Sequence, residues 1–173
     1  MREIKFRGKS TLEIDYLDMI GVVHANGWVF GNLITNEGKP YIVGDIEDVT
    51  DEYINPTSWI SVHPKSIGQF TGLKDKGGKK IYEGHVLKRD FEIGNTIYHP
   101  VTLGAMDYEI SDSGHFRGVV HYRPSEGFVL AKVQKYSDEN ELVEKKSAVK
   151  IYPRYAEIIG NQFENPELLE VAE

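Results

Sequence analysis

Val119-Val120-His121-Tyr122-Arg123-Pro124-Ser125-Glu126-Gly127-Phe128-Val129-Leu130-Ala131-Lys132-Val133 is the stretch on which the fold turns. Two runs rich in β-branched and aromatic residues flank Arg123-Pro124-Ser125-Glu126, and that order predicts an antiparallel hairpin. The same grammar recurs on either side. Met19-Ile20-Gly21-Val22-Val23, Trp28-Val29-Phe30-Gly31-Asn32-Leu33-Ile34 and Trp59-Ile60-Ser61-Val62 read as short half-buried strands. Ile81-Tyr82-Glu83 and Val86-Leu87-Lys88 read likewise, interrupted at Gly84, a natural bulge position. Tyr155-Ala156-Glu157-Ile158-Ile159-Gly160 reads as the last strand. Asn26-Gly27, Asn36-Glu37-Gly38-Lys39 and Asp75-Lys76-Gly77-Gly78-Lys79 are turns, because Gly and Asn accept positive φ at little cost.

Four stretches are less regular. Asp45 to Glu52 packs five carboxylates into eight positions. Ile46, Val49 and Tyr53 there have helical spacing, yet the flanks have strand composition. Two strands joined through Thr50-Asp51-Glu52 are the favoured reading. Residues 90–117 are broken by Gly94, Pro100, Gly104 and Gly114 and read as an irregular excursion or a mobile hairpin. Asp138 to Lys146 reads as a loop or a short exposed helix. In the tail, Asn165 suits an N-cap, Pro166 the first helical position and Glu167 the positive end of the dipole. Leu168, Leu169 and Val171 then form a small apolar face, predicting a short C-terminal helix. The fold class expected is mainly β, with short antiparallel strands.

Composition narrows the function. The chain has 173 residues, of which 40% are hydrophobic and 27% charged, as suits a folded domain or two small ones. With no Cys there is no disulfide, thiol nucleophile or Cys-ligated metal. No apolar run approaches a membrane span and no secretory leader is evident, which points to a soluble intracellular protein. The net charge of −7 is spread over both halves, −4 through Asp75 and −3 beyond it. Such a balance works against bulk affinity for nucleic acid.

Chemical motifs are sparse. Gly72 to Lys80 resembles a phosphate loop only superficially, since Gly78 stands where the lysine must be and no Ser or Thr follows. The dinucleotide glycine fingerprint and the Gly-x-Ser-x-Gly elbow are both absent. Among six His, no pair has the helical spacing of a zincin, and His115, His121 and Glu126 form only an ordinary strand pattern. Carboxylates are plentiful, but nothing in sequence selects the separated pair a glycosidase needs. No catalytic, metal or cofactor site is therefore assigned. Lys79-Lys80-Ile81-Tyr82 and Lys88-Arg89-Asp90-Phe91 interleave basic and aromatic residues as single-strand binders do, with Arg117, His121, Tyr122 and Arg123 as an extension. Glu83, Asp90 and Glu92 oppose a phosphate track there. Lys145-Lys146 reads as solvated surface.

Ser66-Ile67-Gly68-Gln69-Phe70-Thr71-Gly72-Leu73-Lys74-Asp75 with Gly77-Gly78-Lys79-Lys80-Ile81-Tyr82-Glu83-Gly84 resembles the central signature of the YopX family of phage and prophage proteins. Ile4-Lys5-Phe6-Arg7-Gly8, Trp28-Val29-Phe30-Gly31-Asn32-Leu33 and Ile158 to Leu169 resemble the family's opening, its Trp-x-x-Gly-x-Leu strand and its ending. The resemblance implies an all-β, phage-encoded protein of the host cytoplasm. It implies an N-terminal β subdomain over 1–72 and a small SH3-like barrel over 73–173, with residues 90–117 as an insertion. It implies no activity. His85 stands where the family usually carries Asp.

Three functions are weighed from the sequence. A non-enzymatic binding or interaction module assembling as a homo-oligomer leads, with a host or phage protein as another conceivable partner, because a β protein rich in edges must pair or cover them. A nucleic-acid-binding small barrel is the alternative. A metal- or carboxylate-dependent hydrolase is the third. The residues named as a binding surface are Gln69, Thr71, Lys79, Lys80, Tyr82, Lys88 and Arg89. A basic face requires folding to bring Lys79, Lys80, Lys88 and Arg89 together.

Overall fold

Asn26 and Gly27 take φ of 49° and 78°, and the chain reverses over them between Ala25 and Trp28, whose backbones exchange two 2.9 Å hydrogen bonds. Such turns organise the structure, a computed structural model that describes residues 3–170. The protein is mainly β and its sheets are antiparallel. The elements are β1 (Phe6–Lys9), α1 (Ile14–Met19), β2 (Trp28–Asn36), β3 (Lys39–Val43), β4 (Ile46–Val49), β5 (Ile54–Pro56) and β6 (Trp59–Ser61). There follow β7 (Gly68–Lys74), β8 (Lys80–Tyr82), β9 (His85–Tyr98), β10 (Ala105–Arg123), β11 (Gly127–Tyr136), β12 (Leu142–Lys150) and β13 (Ala156–Asn161). The chain forms two units. One runs to Leu73 and takes in Lys80–Gly84; the other comprises Lys74–Lys79 and the chain from His85 onward.

In the first unit the sheet order is β6-β3-β2-β1-β7-β8. Its core is Leu17, Val29, Ile42, Ile60 and Val62, with Phe6, Val22, Leu33 and Ile67 packed around it. Leu17 belongs to α1, where the sequence predicts no helix and a strand at Met19–Val23 instead. The overlooked signal is Gly21, at φ 73°. The Val22 N–H reaches the Leu17 carbonyl and the Gly21 N–H reaches that of Asp18, a Schellman close that needs a left-handed residue just past the helix. Ile14 and Leu17 are the apolar spacing of that single turn and a half. The acidic knot is a ribbon: β4 pairs with β5, and the Thr50 N–H bonds the Tyr53 carbonyl across the turn.

In the second unit the order is β12-β11-β10-β9-β13. The hairpin read from Val119 to Val133 is present, with Arg123 opposite Gly127 and Val119 opposite Ala131. Among the described residues the sheet is open, with β12 at one end and β13 at the other, so the barrel expected for this part is not closed. Asp138 to Asn140 turn the chain into β12 rather than forming a helix. The expected C-terminal helix is a single 3-10 turn, Pro166–Leu169. Asn165 does not cap it through its side chain; the Asn165 Oδ1 instead accepts the Asn161 N–H at 3.3 Å. Val171 lies outside the described residues.

Of the two readings for residues 90–117, the hairpin is what forms and the irregular excursion is not. These residues are most of a long hairpin in which Tyr98 pairs with Ala105 and Lys88 with Arg117. Gly and Pro concealed this because they serve different ends here. Pro100 and Gly104 fall in the connection, while Gly94 lies within β9 opposite Ile110, where only a glycine leaves room.

Candidate functional site

The residues proposed from sequence fall in both units. In the first, Gln69 is half-buried in β7, and Thr71 is buried with its hydroxyl donating to the Ile81 carbonyl at 2.8 Å. Tyr82 is buried against Phe70 and Phe30, with ring centres 5.4 and 5.6 Å away, and burial raises its pKa. Lys80 donates to both Glu3 carboxylate oxygens, at 2.9 and 3.0 Å, and its ammonium stands 5.0 Å from the Phe70 ring centre. The hydrogen bond to Glu3 raises the Lys80 pKa. Beside them Arg7, also buried, lays its guanidinium 4.4 Å from the Trp28 ring centre. This is a packed aromatic cluster braced by cations.

In the second unit, Lys79 is exposed in the Asp75 turn, and Lys88 and Arg89 are consecutive residues of β9. Successive strand residues point to opposite faces, so Lys88 and Arg89 do not add to one patch. Arg89 is buried. Its Nη1 donates to the Lys150 carbonyl at 2.7 Å, and its guanidinium lies 4.5 Å from the Phe116 ring centre and 5.0 Å from that of Tyr152. Burial lowers its pKa, but an arginine so placed stays charged.

Around Arg89 the register assembles a cation–aromatic ladder that no single segment reveals. Arg89 is opposite Phe116, Phe116 opposite Lys135, and Lys135 opposite Glu144, one row across β9, β10, β11 and β12. Phe91 packs on Phe116 with ring centres 4.7 Å apart. The Lys135 ammonium stands 5.0 Å from the Phe91 ring centre, that of Lys146 5.7 Å from Phe116, and that of Lys150 5.7 Å from Tyr152. Two of these cations have carboxylate partners, Lys135 with Asp112 at 2.6 Å and Lys146 with Glu144 at 3.2 Å. Nothing in the sequence singles out Phe116, Lys135, Lys150 or Tyr152, and Lys146 reads there as solvated surface. The available signal was the alternation Glu144, Lys146, Ala148, Lys150 along β12.

On the opposite face His115 is buried and stacked on Tyr136, with ring centres 5.0 Å apart and planes 10° from parallel. Burial, reinforced by Lys88 and Arg117, holds its pKa below the usual histidine range. Gln134 ties this face to the tail through a 2.9 Å bond from its amide nitrogen to the Leu169 carbonyl. Among the described residues no three His, Asp or Glu gather as a metal-ion group. No described helix is long and apolar enough to cross a membrane.

A family model described as YopX protein matches residues 5–170. The chain belongs to the YopX family. The match takes in the Ser66 to Gly84 signature, whose Phe70, Thr71, Lys80 and Tyr82 belong to the packed cluster of the first unit and whose Asp75 to Lys79 turn belongs to the second, and it runs through the long hairpin. No curated protein matches the chain.

Proposed function

We propose that this YopX-family protein is a non-enzymatic interaction module that self-associates, and that the outer part of the β9–β10 hairpin is where copies meet. The hairpin itself carries the reading. β11 accompanies β10 only as far as His115, and β13 accompanies β9 only as far as Arg89, so the two strands continue beyond as a ribbon. A two-stranded ribbon is marginal in water unless something packs on it. This one exposes Ile93 and Ile97 on one face and Tyr98, Tyr108 and Ile110 on the other. Exposed edges and exposed apolar side chains of this kind mark association surfaces. A phage origin, a place in the host cytoplasm and an SH3-like character for the second unit are parts of the same reading and rest on the family resemblance. Sedimentation equilibrium of the full chain at micromolar concentration tests it: a dimer or higher oligomer is expected, and a monomer overturns it.

One observation favours a second reading. The half-buried Phe91 beside Lys135 and the exposed Tyr152 beside Lys150, set over the buried Arg89 and Phe116, alternate rings and cations as single-strand binders do. Fluorescence anisotropy with single-stranded and duplex oligonucleotides at low salt decides it, and the absence of saturable binding removes it.

A further inference from the structure

The ladder shares one face of the sheet with the Ile93 and Ile97 side of the ribbon. Along β9 that face carries Arg89, Phe91, Ile93, Asn95 and Ile97, because alternate residues share a side and β9 runs unbroken through its pairing. Opposite them on β10 stand Phe116, Gly114, Asp112, Glu109 and Asp107. A register shift between Ile110 and Asp112 brings Asp107 and Glu109 to this side. The face is therefore divided by charge. Its inner half carries Phe91 and the cations Lys135, Lys146 and Lys150 over the buried Arg89 and Phe116, against the single carboxylate Glu144, which pairs with Lys146. Its outer half is acidic and aliphatic. No Lys or Arg occurs anywhere between Asp90 and Phe116.

We infer that this face is the self-association interface, with a second copy of the chain as its occupant in a two-fold, antiparallel arrangement. The acidic ribbon of each copy then covers the cation–aromatic half of the other. A surface that is positive at one end and negative at the other is complementary to itself under a two-fold axis, which closes the assembly at a dimer. Ile93 and Ile97 of one copy are covered by Phe91 and Tyr152 of the other, while Asp107 and Glu109 meet Lys146 and Lys150. The inference rests on the self-association reading above and adds to it the identity of both contacting surfaces.

Charge reversal tests it. Asp107→Lys with Glu109→Lys makes the ribbon basic, and Lys146→Glu with Lys150→Glu makes the inner half acidic. Each double variant alone faces like charge with like and is expected to dissociate at least about ten-fold more readily than the parent chain. Mixed together they are expected to form a heterodimer, since each then offers the charge the other lost. Circular dichroism and thermal melting of each variant establish that it is folded. Two results overturn the interface: variants that associate as the parent does, or a mixture that stays monomeric. A variant lacking the ribbon separates the two levels. Loss of association on removing the ribbon, with no effect of the reversals, keeps the self-association reading and rejects this interface. Association that survives its removal rejects both. A Lys146→Glu/Lys150→Glu variant that remains dimeric but loses saturable oligonucleotide binding assigns the inner half to nucleic acid and also overturns the interface.

Discussion

Tyr108 lies across the backbone of Gly94: a Cβ on that glycine would stand 2.8 Å from Tyr108 Cζ and 2.4 Å from the Glu109 carbonyl oxygen. The ring thus covers a gap that the missing side chain leaves on the ribbon. Gly94→Ala forces either the ring or the opposing strand to shift, an overpacking that costs about 1–3 kcal/mol. The cost is local. Hydrogen exchange should show lost protection over residues 93–110, with the amides of Val119 to Val133 protected as before. Unchanged protection of the ribbon counts against the contact.

Asp75 closes the turn that begins the second unit. Its Oδ1 accepts the N–H groups of Gly77 and Lys79, each at 2.9 Å, and its Oδ2 accepts the Ile158 N–H at 3.3 Å. One buried carboxylate therefore shapes a loop and fastens it to β13, helped by the Lys76 N–H on the Ala156 carbonyl at 2.9 Å. Hydrogen bonds to charged groups are worth about 1.5–3 kcal/mol each, and neighbours in one network do not add fully. Asp75→Ala should cost about 2–4 kcal/mol in urea unfolding, on the same footing. Asp75→Asn, which keeps one acceptor oxygen, should cost visibly less. Equal losses from the two would contradict the turn-holding role.

His115 gives stability a pH dependence. In the folded chain its pKa lies below the ordinary 6.5, chiefly through burial and then through Lys88 and Arg117, with Asp90 and Asp138 opposing. The unfolded chain therefore binds this proton more readily. The neutral imidazole's contribution is fully present above pH 6.5 and declines as pH falls from there towards the folded pKa. Urea midpoints measured between pH 8 and pH 5 should fall on acidification, and His115→Phe, which keeps a ring for Tyr136 to stack on, should flatten that slope. A slope unchanged by the substitution would assign the effect to other groups.

What was readable in the sequence was local chemistry. The Val119–Val133 hairpin announced itself because strand composition and turn residues agree within fifteen positions, and the Asp45–Glu52 ribbon because its flanks were strand-like. α1 was missed because so short a helix has too few residues to display a period, and Gly21 then reads as a strand interruption. The 90–117 hairpin was obscured because Gly94 and Gly114 serve close approach rather than a break. A Cβ on Gly114 would lie 2.1 Å from the Tyr136 carbonyl oxygen. Of the ladder, the sequence shows only the neighbouring Arg89 and Phe91. The rest depends on which residue of β9 stands opposite which residues of β10, β11 and β12, and those pairings are matters of register.

Arg89 offers the sharpest test of how the ladder is held. The side chain is buried, yet among the described residues it has no carboxylate partner; it is fixed by one bond to the Lys150 carbonyl and by the faces of Phe116 and Tyr152. A planar, weakly hydrated guanidinium suits such a slot, because it can donate in its plane while stacking above and below it. An ammonium cannot, since its compact charge holds water tightly and has no face to stack. If charge alone matters, Arg89→Lys is harmless. If planarity matters, it costs about 1–3 kcal/mol, the size of a lost charged hydrogen bond together with the rings' share. We expect the second outcome in urea unfolding. Arg89→Met, which fills the slot without a charge, should cost no more than Arg89→Lys, because replacing a buried ion by an apolar chain of similar volume is often tolerated. A lysine variant as stable as the parent would show that the rings of Phe116 and Tyr152 do not select the guanidinium.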